Sequence, residues 1–248
     1  MFDLLRLIKI AWRLIMGDAR IASKKDTAIV VVGMENSKKW GKCLGSGVDA
    51  QHMSSLLKPY GDMDVLRDGS ATVKSVHDAL SRAVQKPLCI FYYSGHGGRE
   101  RNKNGVGGWS EFLCLNDAGL HDFDLWNVIQ QSRGRVVAIF DCCHSATMFR
   151  AAGEEAGEAP EMTGFSFSML RGPLMAGSDV NLLSWSGCPA ESYSYGGADG
   201  GVLTNGLLKG FSASHTYDET WARIKRSAAS QGPVRTVIGT GFKGTVFR

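Results

Sequence analysis

Residues 88–98 read LCIFYYSGHGG, and this stretch decides the fold. Six apolar or aromatic residues in a row, introduced by Pro87, are typical of a strand that is buried on both faces of a sheet. A polar, glycine-rich segment follows, so the strand ends just before His96. We therefore expect a central strand that presents a histidine at its carboxyl end.

A second stretch is built in the same way. Residues 136–145 read VVAIFDCCHS, an apolar run that ends in an aspartate, two cysteines and a histidine. The carboxyl ends of parallel strands lie at one edge of a sheet, and ligands bind at that edge. The pattern predicts that His96 and Cys143 meet there, although 47 residues (143 − 96) separate them in the chain. A cysteine beside a histidine base is an activated nucleophile.

Predicted strands and helices alternate around these two stretches. The predicted strands span 27–33, 63–66, 88–93, 135–140 and 181–186, with a shorter one at 111–116 and a β-rich end at 233–247. The predicted helices span 45–57, 71–84 with Ser70 as the N-cap, 122–131, 202–211 and 217–229. Residues 97–110 are expected to form a mobile loop, and residues 144–180 show no periodicity. This order predicts an α/β domain with a mostly parallel central sheet and helices on both faces.

The composition is that of one globular domain. The chain has 248 residues, of which 44% are hydrophobic and 21% are charged. Its net charge of +4 is small, and no basic run is interleaved with aromatic residues, so nucleic acid is not an expected partner. The six cysteines form no CxxC pair, which favours a reducing, cytoplasmic setting. Cys89 and Cys114 lie within apolar runs and are predicted to be core residues.

Residues 1–26 are expected to form an N-terminal helix and a linker ahead of the domain at 27–248. The first sixteen residues are apolar, but they carry Asp3, Arg6, Lys9 and Arg13. The segment is both too short and too charged to span a bilayer. The positive charges share roughly one helical stripe, so the helix is amphipathic. It can dock on its own domain, on a partner or on a membrane surface, and a cleaved targeting segment is the remaining alternative.

The chemistry predicted at the sheet edge is acyl transfer. Cys143 supplies the sulfur, and His96 takes its proton and later gives it to the leaving amine. The N–H groups of Gly97 and Cys143 are the expected oxyanion hole. A zinc site built from Cys142 and His144 is disfavoured, because neighbouring side chains at a strand end point in opposite directions.

The pattern SGHGG followed by DCCHS resembles the caspase clan of cysteine peptidases, and most closely the metacaspases. The likeness covers residues 27–248: a large-subunit-like part at 27–150, the loop at 144–180 and a small-subunit-like part at 181–248. In caspases, too, the histidine lies about 50 residues before the cysteine. The resemblance implies a caspase-like sandwich with His96 and Cys143 as the catalytic pair. It further implies protein or peptide substrates that are cut after Arg or Lys.

The resemblance also implies a pocket for the basic side chain. Asp141 and Asp49 map onto its acidic residues and Ser94 onto a wall, whereas Ser186 and Glu191 lie in the segment that matches the small-subunit strand. A carboxylate pair suits a guanidinium group. Two alternatives stay open: Asp141 as a cap at the strand end, and Asp49 as a carboxylate that the helix dipole favours.

The chain departs from metacaspases where many of them hold calcium. The loop after His96 is basic and glycine-rich, and Arg150 stands seven residues beyond the catalytic cysteine, where that family has an aspartate. Asp117, Asp122 and Asp124 remain, but calcium needs several converging oxygens. We therefore expect no cofactor, no metal and no calcium requirement.

The resemblance finally implies cleavage between the two subunit-like parts. Arg150 and Arg171 lie near the ends of the 144–180 segment and are candidate self-cleavage sites, although both charges can simply be solvated. The alternative to an enzyme is a caspase-like interaction scaffold that has lost turnover. Intact His96, Gly97 and Cys143 argue against that alternative.

Overall fold

The computed structural model describes residues 24–101, 109–142, 161–162, 179–188 and 196–245. The strands are β1 Thr27–Gly33, β2 Asn36–Ser37, β3 Gly41–Lys42, β4 Asp62–Arg67, β5 Leu88–Gly95, β6 Gly97–Arg101, β7 Trp109–Cys114, β8 Gly119–His121, β9 Arg135–Cys142, β10 Glu161–Met162, β11 Asn181–Ser186, β12 Gly196–Gly197, β13 Gly200–Gly201 and β14 Val234–Ile238. The helices are α1 Ser46–Leu57, α2 Val73–Ala83, α3 Asp122–Ile129, α4 Val202–Gly210 and α5 Tyr217–Ser227.

The central sheet has six strands in the order β14-β11-β9-β5-β1-β4. Five of them are parallel, and only β14, at the edge, runs antiparallel to its neighbour β11. This arrangement confirms the predicted α/β class with a mostly parallel sheet. Within the described ranges, no helix has both the length and the apolarity that crossing a bilayer requires.

Side chains on successive positions of each strand point to opposite faces of the sheet, and a separate core lies on each face. Tyr92 on β5 packs in the core that is covered by α1, α4 and α5. Phe91 and Tyr93, on either side of it, pack in the core that is covered by α2 and α3. The buried Cys89 and Cys114 confirm their prediction as interior residues. Helices therefore cover both faces, as the alternating order predicts.

A second, smaller sheet in the order β10-β6-β7-β8 begins directly after His96. The prediction of a loop at 97–110 is therefore wrong for Gly97–Arg101, while residues 102–108 lie outside the described part. The stretch GGRER at 97–101 has little β-propensity of its own. It becomes a strand because β7 pairs with it antiparallel, from Gly97 opposite Leu113 to Arg101 opposite Trp109.

Some helix and strand ends differ from the predictions. Ser70 is not the N-cap of α2, because its hydroxyl is bonded to the backbone of Arg67. Thr72 caps the helix instead, in a reciprocal pair with Ser75. The β-rich end is shorter than expected and is confined to Val234–Ile238. Residues 1–23 of the expected N-terminal helix and linker lie outside the described residues, as does most of the 144–180 segment.

Candidate active site

The carboxyl ends of β5, β9 and β11 form one edge of the central sheet. In the parallel register Ser94 lies opposite Asp141, and Gly95 lies opposite Cys142. Ser186 ends β11 opposite Phe140, one residue before Asp141. Residues that the sequence analysis singled out on three separate strands are thus brought together.

His96 follows this edge and is held by a backbone group. Its ring is nearly buried, and Nε2 lies 3.1 Å from the carbonyl oxygen of Lys42 at the end of β3. A carbonyl can only accept a hydrogen bond, so this contact requires the proton on Nε2. In the neutral ring Nδ1 is then the unprotonated nitrogen, which can act as a base. No residue pattern pointed to Lys42, because its main chain makes the contact.

Cys143 lies outside the described residues, as do Glu191, Arg150 and Arg171. Its neighbour Cys142 is described and is buried in the core under α2 and α3. Burial raises the pKa of the Cys142 thiol well above its usual value, so this cysteine is held as an unreactive thiol. Only Cys143 of the adjacent pair is left as a candidate nucleophile.

Two buried carboxylates lie side by side at the sheet edge. Asp49, from α1, accepts hydrogen bonds from Ser94 Oγ at 2.8 Å and from the Gly201 N–H at 2.9 and 3.0 Å to its two oxygens. Asp141, at the end of β9, accepts two bonds of 2.7 Å from the N–H and the hydroxyl of Thr204. Both aspartates are almost wholly buried. The donors named here are all neutral.

The carboxylates repel each other electrostatically. Burial raises the pKa of Asp49 from 3.8 to about 7, and the charge on Asp141 adds to this rise. The bonds from Ser94 and Gly201 act in the opposite direction. At neutral pH the free site therefore lies close to the point where Asp49 gains or loses its proton. A cation placed beside both carboxylates favours the ionised form.

Two glycines make room for the carboxylate pair. A Cβ atom on Gly201 would lie 2.2 Å from Asp141 Oδ2, and one on Gly200 would lie 2.2 Å from Asp49 Oδ1. Gly200 also has φ +95°, which disfavours any residue with a side chain. In the sequence this GG pair lies within the small-subunit-like part at 181–248. Its role in the site was missed, because it depends on contacts with residues far away in the chain.

The structure shows a capping role for Asp141, at the start of a helix, while its pocket role stays a prediction. Thr204 is in the first turn of α4, so Asp141 caps the amino end of a helix from a neighbouring strand. Asp49 lies in the first turn of α1 and also receives a bond from Gly201, the N-cap of α4. Tyr92 extends this network, with its hydroxyl 2.5 Å from Thr204 Oγ1. The buried hydroxyl of Ser186 has no hydrogen-bond partner among the described residues.

Carboxylates considered as calcium ligands are engaged elsewhere. Asp117 accepts the Val73 N–H at the start of α2 at 2.9 Å. Asp122 is buried, and it accepts bonds from the Ser110 hydroxyl and the Phe123 N–H at the start of α3. Across the described ranges, no three His, Cys, Asp or Glu side chains are grouped as metal ligands.

Comparison with known proteins places this chain in a family. The family model described as "Caspase domain" matches residues 27–236. Metacaspase-1 of Pyricularia oryzae is 26% identical over 238 residues, which cover 86% of this chain and 56% of that protein. This chain thus spans little more than half the length of that relative. Among solved structures, protein GSU0716 from Geobacter sulfurreducens superposes with a TM-score of 0.68 at 20% identity, covering 89% of this chain and 98% of that one, which shows a shared fold.

Proposed function

Because this chain belongs to the caspase-domain family of cysteine peptidases, we propose that it is an endopeptidase that cuts after Arg or Lys through His96 and Cys143. The observation that carries the proposal is the buried pair Asp49 and Asp141 at the same sheet edge as His96. The register of β5 and β9 supports the catalytic pair, because Gly95 lies opposite Cys142 and each catalytic residue follows directly.

The proposed reaction begins with transfer of the Cys143 proton to Nδ1 of His96, whose Nε2 is held by Lys42. The thiolate attacks the peptide carbonyl, and the imidazolium gives its proton to the leaving amine as the thioester forms. Water then hydrolyses the thioester with His96 as the base. The Cys114 N–H on β7 donates a hydrogen bond to the His96 backbone carbonyl, so that this carbonyl points towards β7. By the alternation of an antiparallel pair, the Gly97 N–H points away from β7 and can serve the oxyanion.

The proposed specificity follows from the electrostatics of the pocket. A guanidinium or ammonium group entering beside Asp49 and Asp141 relieves their repulsion and favours ionisation of Asp49. An aspartate side chain would add a third negative charge to the same site. Basic residues are therefore preferred over acidic ones at the cleaved position. Glu191 stays a candidate member of the pocket by its place after the small-subunit strand.

A matched peptide panel tests this function. Peptides that differ only in Arg, Lys, citrulline or Asp at the cleaved position are incubated with the protein, with added calcium or with a chelator, and Cys143→Ala serves as the background. We expect hydrolysis of the Arg and Lys peptides alone, equally with calcium and with chelator. No hydrolysis of any peptide above the Cys143→Ala background would reject the enzyme and favour an interaction scaffold, and cleavage after Asp would reject the pocket.

Self-processing is a separate expectation. We expect the purified protein to cut itself after Arg150 or Arg171, because both lie in the segment between the two subunit-like parts. Mass spectrometry of the intact protein and sequencing of new amino termini measure the cut. Cys143→Ala should stay whole, and Arg150→Gln with Arg171→Gln should remove the fragments without lowering peptide hydrolysis. Identical intact masses for the active protein and Cys143→Ala would contradict this expectation.

A further inference from the structure

A short hairpin carries the backbone carbonyl that holds His96. It consists of β2 and β3, which pair from Asn36 opposite Lys42 to Ser37 opposite Gly41. The bond of 2.7 Å from the Cys43 N–H to the Glu35 carbonyl closes its base, and Lys42 Nζ lies 3.7 Å from Glu35 Oε1. Two such short strands are not stable alone, so the position of the Lys42 carbonyl depends on what fixes the hairpin.

Asp68, immediately after β4, fixes the start of this hairpin. Its Oδ1 accepts hydrogen bonds from the backbone N–H groups of Glu35 at 2.9 Å and Asn36 at 2.7 Å. Its Oδ2 lies 3.4 Å from the side-chain amide of Asn36. One carboxylate therefore binds two successive N–H groups where the chain leaves β1 and enters β2. Hydrogen bonds to a charged acceptor are about twice as strong as neutral ones.

The backbone of Asp68 is strained. Its φ of +43° is the one positive φ outside glycine among the residues that the structure describes. The left-handed conformation disfavours a residue with a Cβ atom, and glycine avoids this cost. Backbone geometry alone would therefore favour glycine here. The carboxylate is the feature that glycine lacks, and all its hydrogen bonds named above go to Glu35 and Asn36.

We propose that Asp68 is a positioning residue for His96, acting through the hairpin of residues 36–42. The inference rests on the proposed function and goes beyond it. Asp68 fixes the hairpin, the hairpin places the Lys42 carbonyl, and that carbonyl holds the proton on Nε2 and leaves Nδ1 as the base. Without the Asp68 carboxylate, the Lys42 carbonyl is no longer held in place and the His96 ring can rotate. The fraction of His96 that can accept the Cys143 proton then falls.

Three variants separate the carboxylate from the backbone. Asp68→Gly relieves the φ strain and removes the acceptor, so any defect comes from the lost hydrogen bonds. Asp68→Asn keeps an acceptor oxygen and also tolerates this φ. Asp64→Asn is the matched control, because Asp64 lies on β4, the strand that Asp68 follows. Among the contacts described for it, Asp64 makes only an exposed ion pair of 2.9 Å with Arg82. The readouts are kcat and KM on the Arg peptide, the pH profile of kcat/KM, and the ¹⁵N signals of the His96 ring.

We expect Asp68→Gly to lower kcat by about 10²-fold, since displacements of about 1 Å have such effects. KM should change less than about twofold, because the Asp49–Asp141 pocket is untouched. The ring signals should change from one Nε2–H tautomer to a mixture, while Asp68→Asn and Asp64→Asn keep wild-type signals and most of kcat. A purely structural role would lower the melting temperature and leave the tautomer unchanged.

A wild-type kcat and a single Nε2–H tautomer in Asp68→Gly would overturn the inference. If that variant does not fold, Asp68→Ser, whose side chain is one atom shorter, is measured in the same way and judged by the same outcomes. If the wild type hydrolyses no peptide, the proposed function fails, but the ring signals of the variants still decide whether Asp68 positions His96. The two failures are therefore distinguishable.

Discussion

Replacing Asp141 with asparagine is expected to lower kcat/KM on Arg peptides by about 10²–10³-fold, because removing one partner of a buried charge pair costs about 2–5 kcal/mol. Asparagine has the same shape and can still accept the two bonds from Thr204 with its oxygen. The variant therefore keeps the cap of α4 and loses only the charge. The loss should appear on Arg and Lys peptides and not on the citrulline peptide, which is nearly isosteric with arginine and uncharged.

The ratio of kcat/KM for the Arg peptide over the citrulline peptide isolates the pocket from the catalytic pair. For the wild type this ratio should be large, and for Asp141→Asn it should fall towards one. Asp64→Asn is the control for removal of an exposed carboxylate, and its ratio should equal that of the wild type. An Asp141→Asn variant that folds and keeps the wild-type ratio would show that this carboxylate only caps the helix.

Replacing Asp49 with asparagine is expected to make the free protein more stable above neutral pH and less active. The pKa of Asp49 is about 7 in the folded protein and 3.8 in the unfolded chain, chiefly because burial disfavours its charge. Between these two pKa values the folded state keeps the proton on Asp49 and the unfolded chain does not. The free energy of unfolding therefore falls as pH rises from about 4 to about 7. The difference between the two pKa values corresponds to about 4 kcal/mol, which is fully lost above pH 7.

Denaturant unfolding at pH 4 and pH 8 measures this effect. Asp49→Asn should match the wild type at pH 4, where the aspartate is protonated in the folded state, and should exceed it by up to about 4 kcal/mol at pH 8. Its Arg-over-citrulline ratio should fall, and the wild-type ratio should rise with pH through about 7 as Asp49 ionises. An asparagine variant that is less stable than the wild type at pH 8 would contradict the raised pKa.

The four inner strands of the central sheet were predictable because they are buried on both faces. Continuous apolar runs gave the extents of β1 and β11 without error and most of β5 and β9. The sheet that begins at Gly97 was not predictable, since two glycines and three charged residues carry no strand pattern. It forms only because the apolar β7 pairs with it, and pairing partners cannot be deduced from local propensity.

The candidate site was predictable in part, for a similar reason. The family resemblance pointed to Asp49, Ser94 and Asp141, and the structure brings all three together. Lys42 and Gly201 were missed because their hydrogen bonds come from backbone groups, and Thr204 was missed because its N–H and hydroxyl bond a residue far away in the chain. Their contacts with His96, Asp49 and Asp141 join positions 54, 152 and 63 residues apart in the chain.

The hydrogen bonds that Gly201 and Thr204 donate to the carboxylate pair cross the interval between Cys142 and Asp179. Asp49 and Asp141 lie before it, and their partners Gly201 and Thr204 lie after it. Backbone pairing between β9, before the interval, and β11, after it, joins the same two portions along the whole length of β11. A polypeptide nicked within that interval should therefore run as two bands on a denaturing gel and still elute from a sizing column as one particle, with its binding pocket intact.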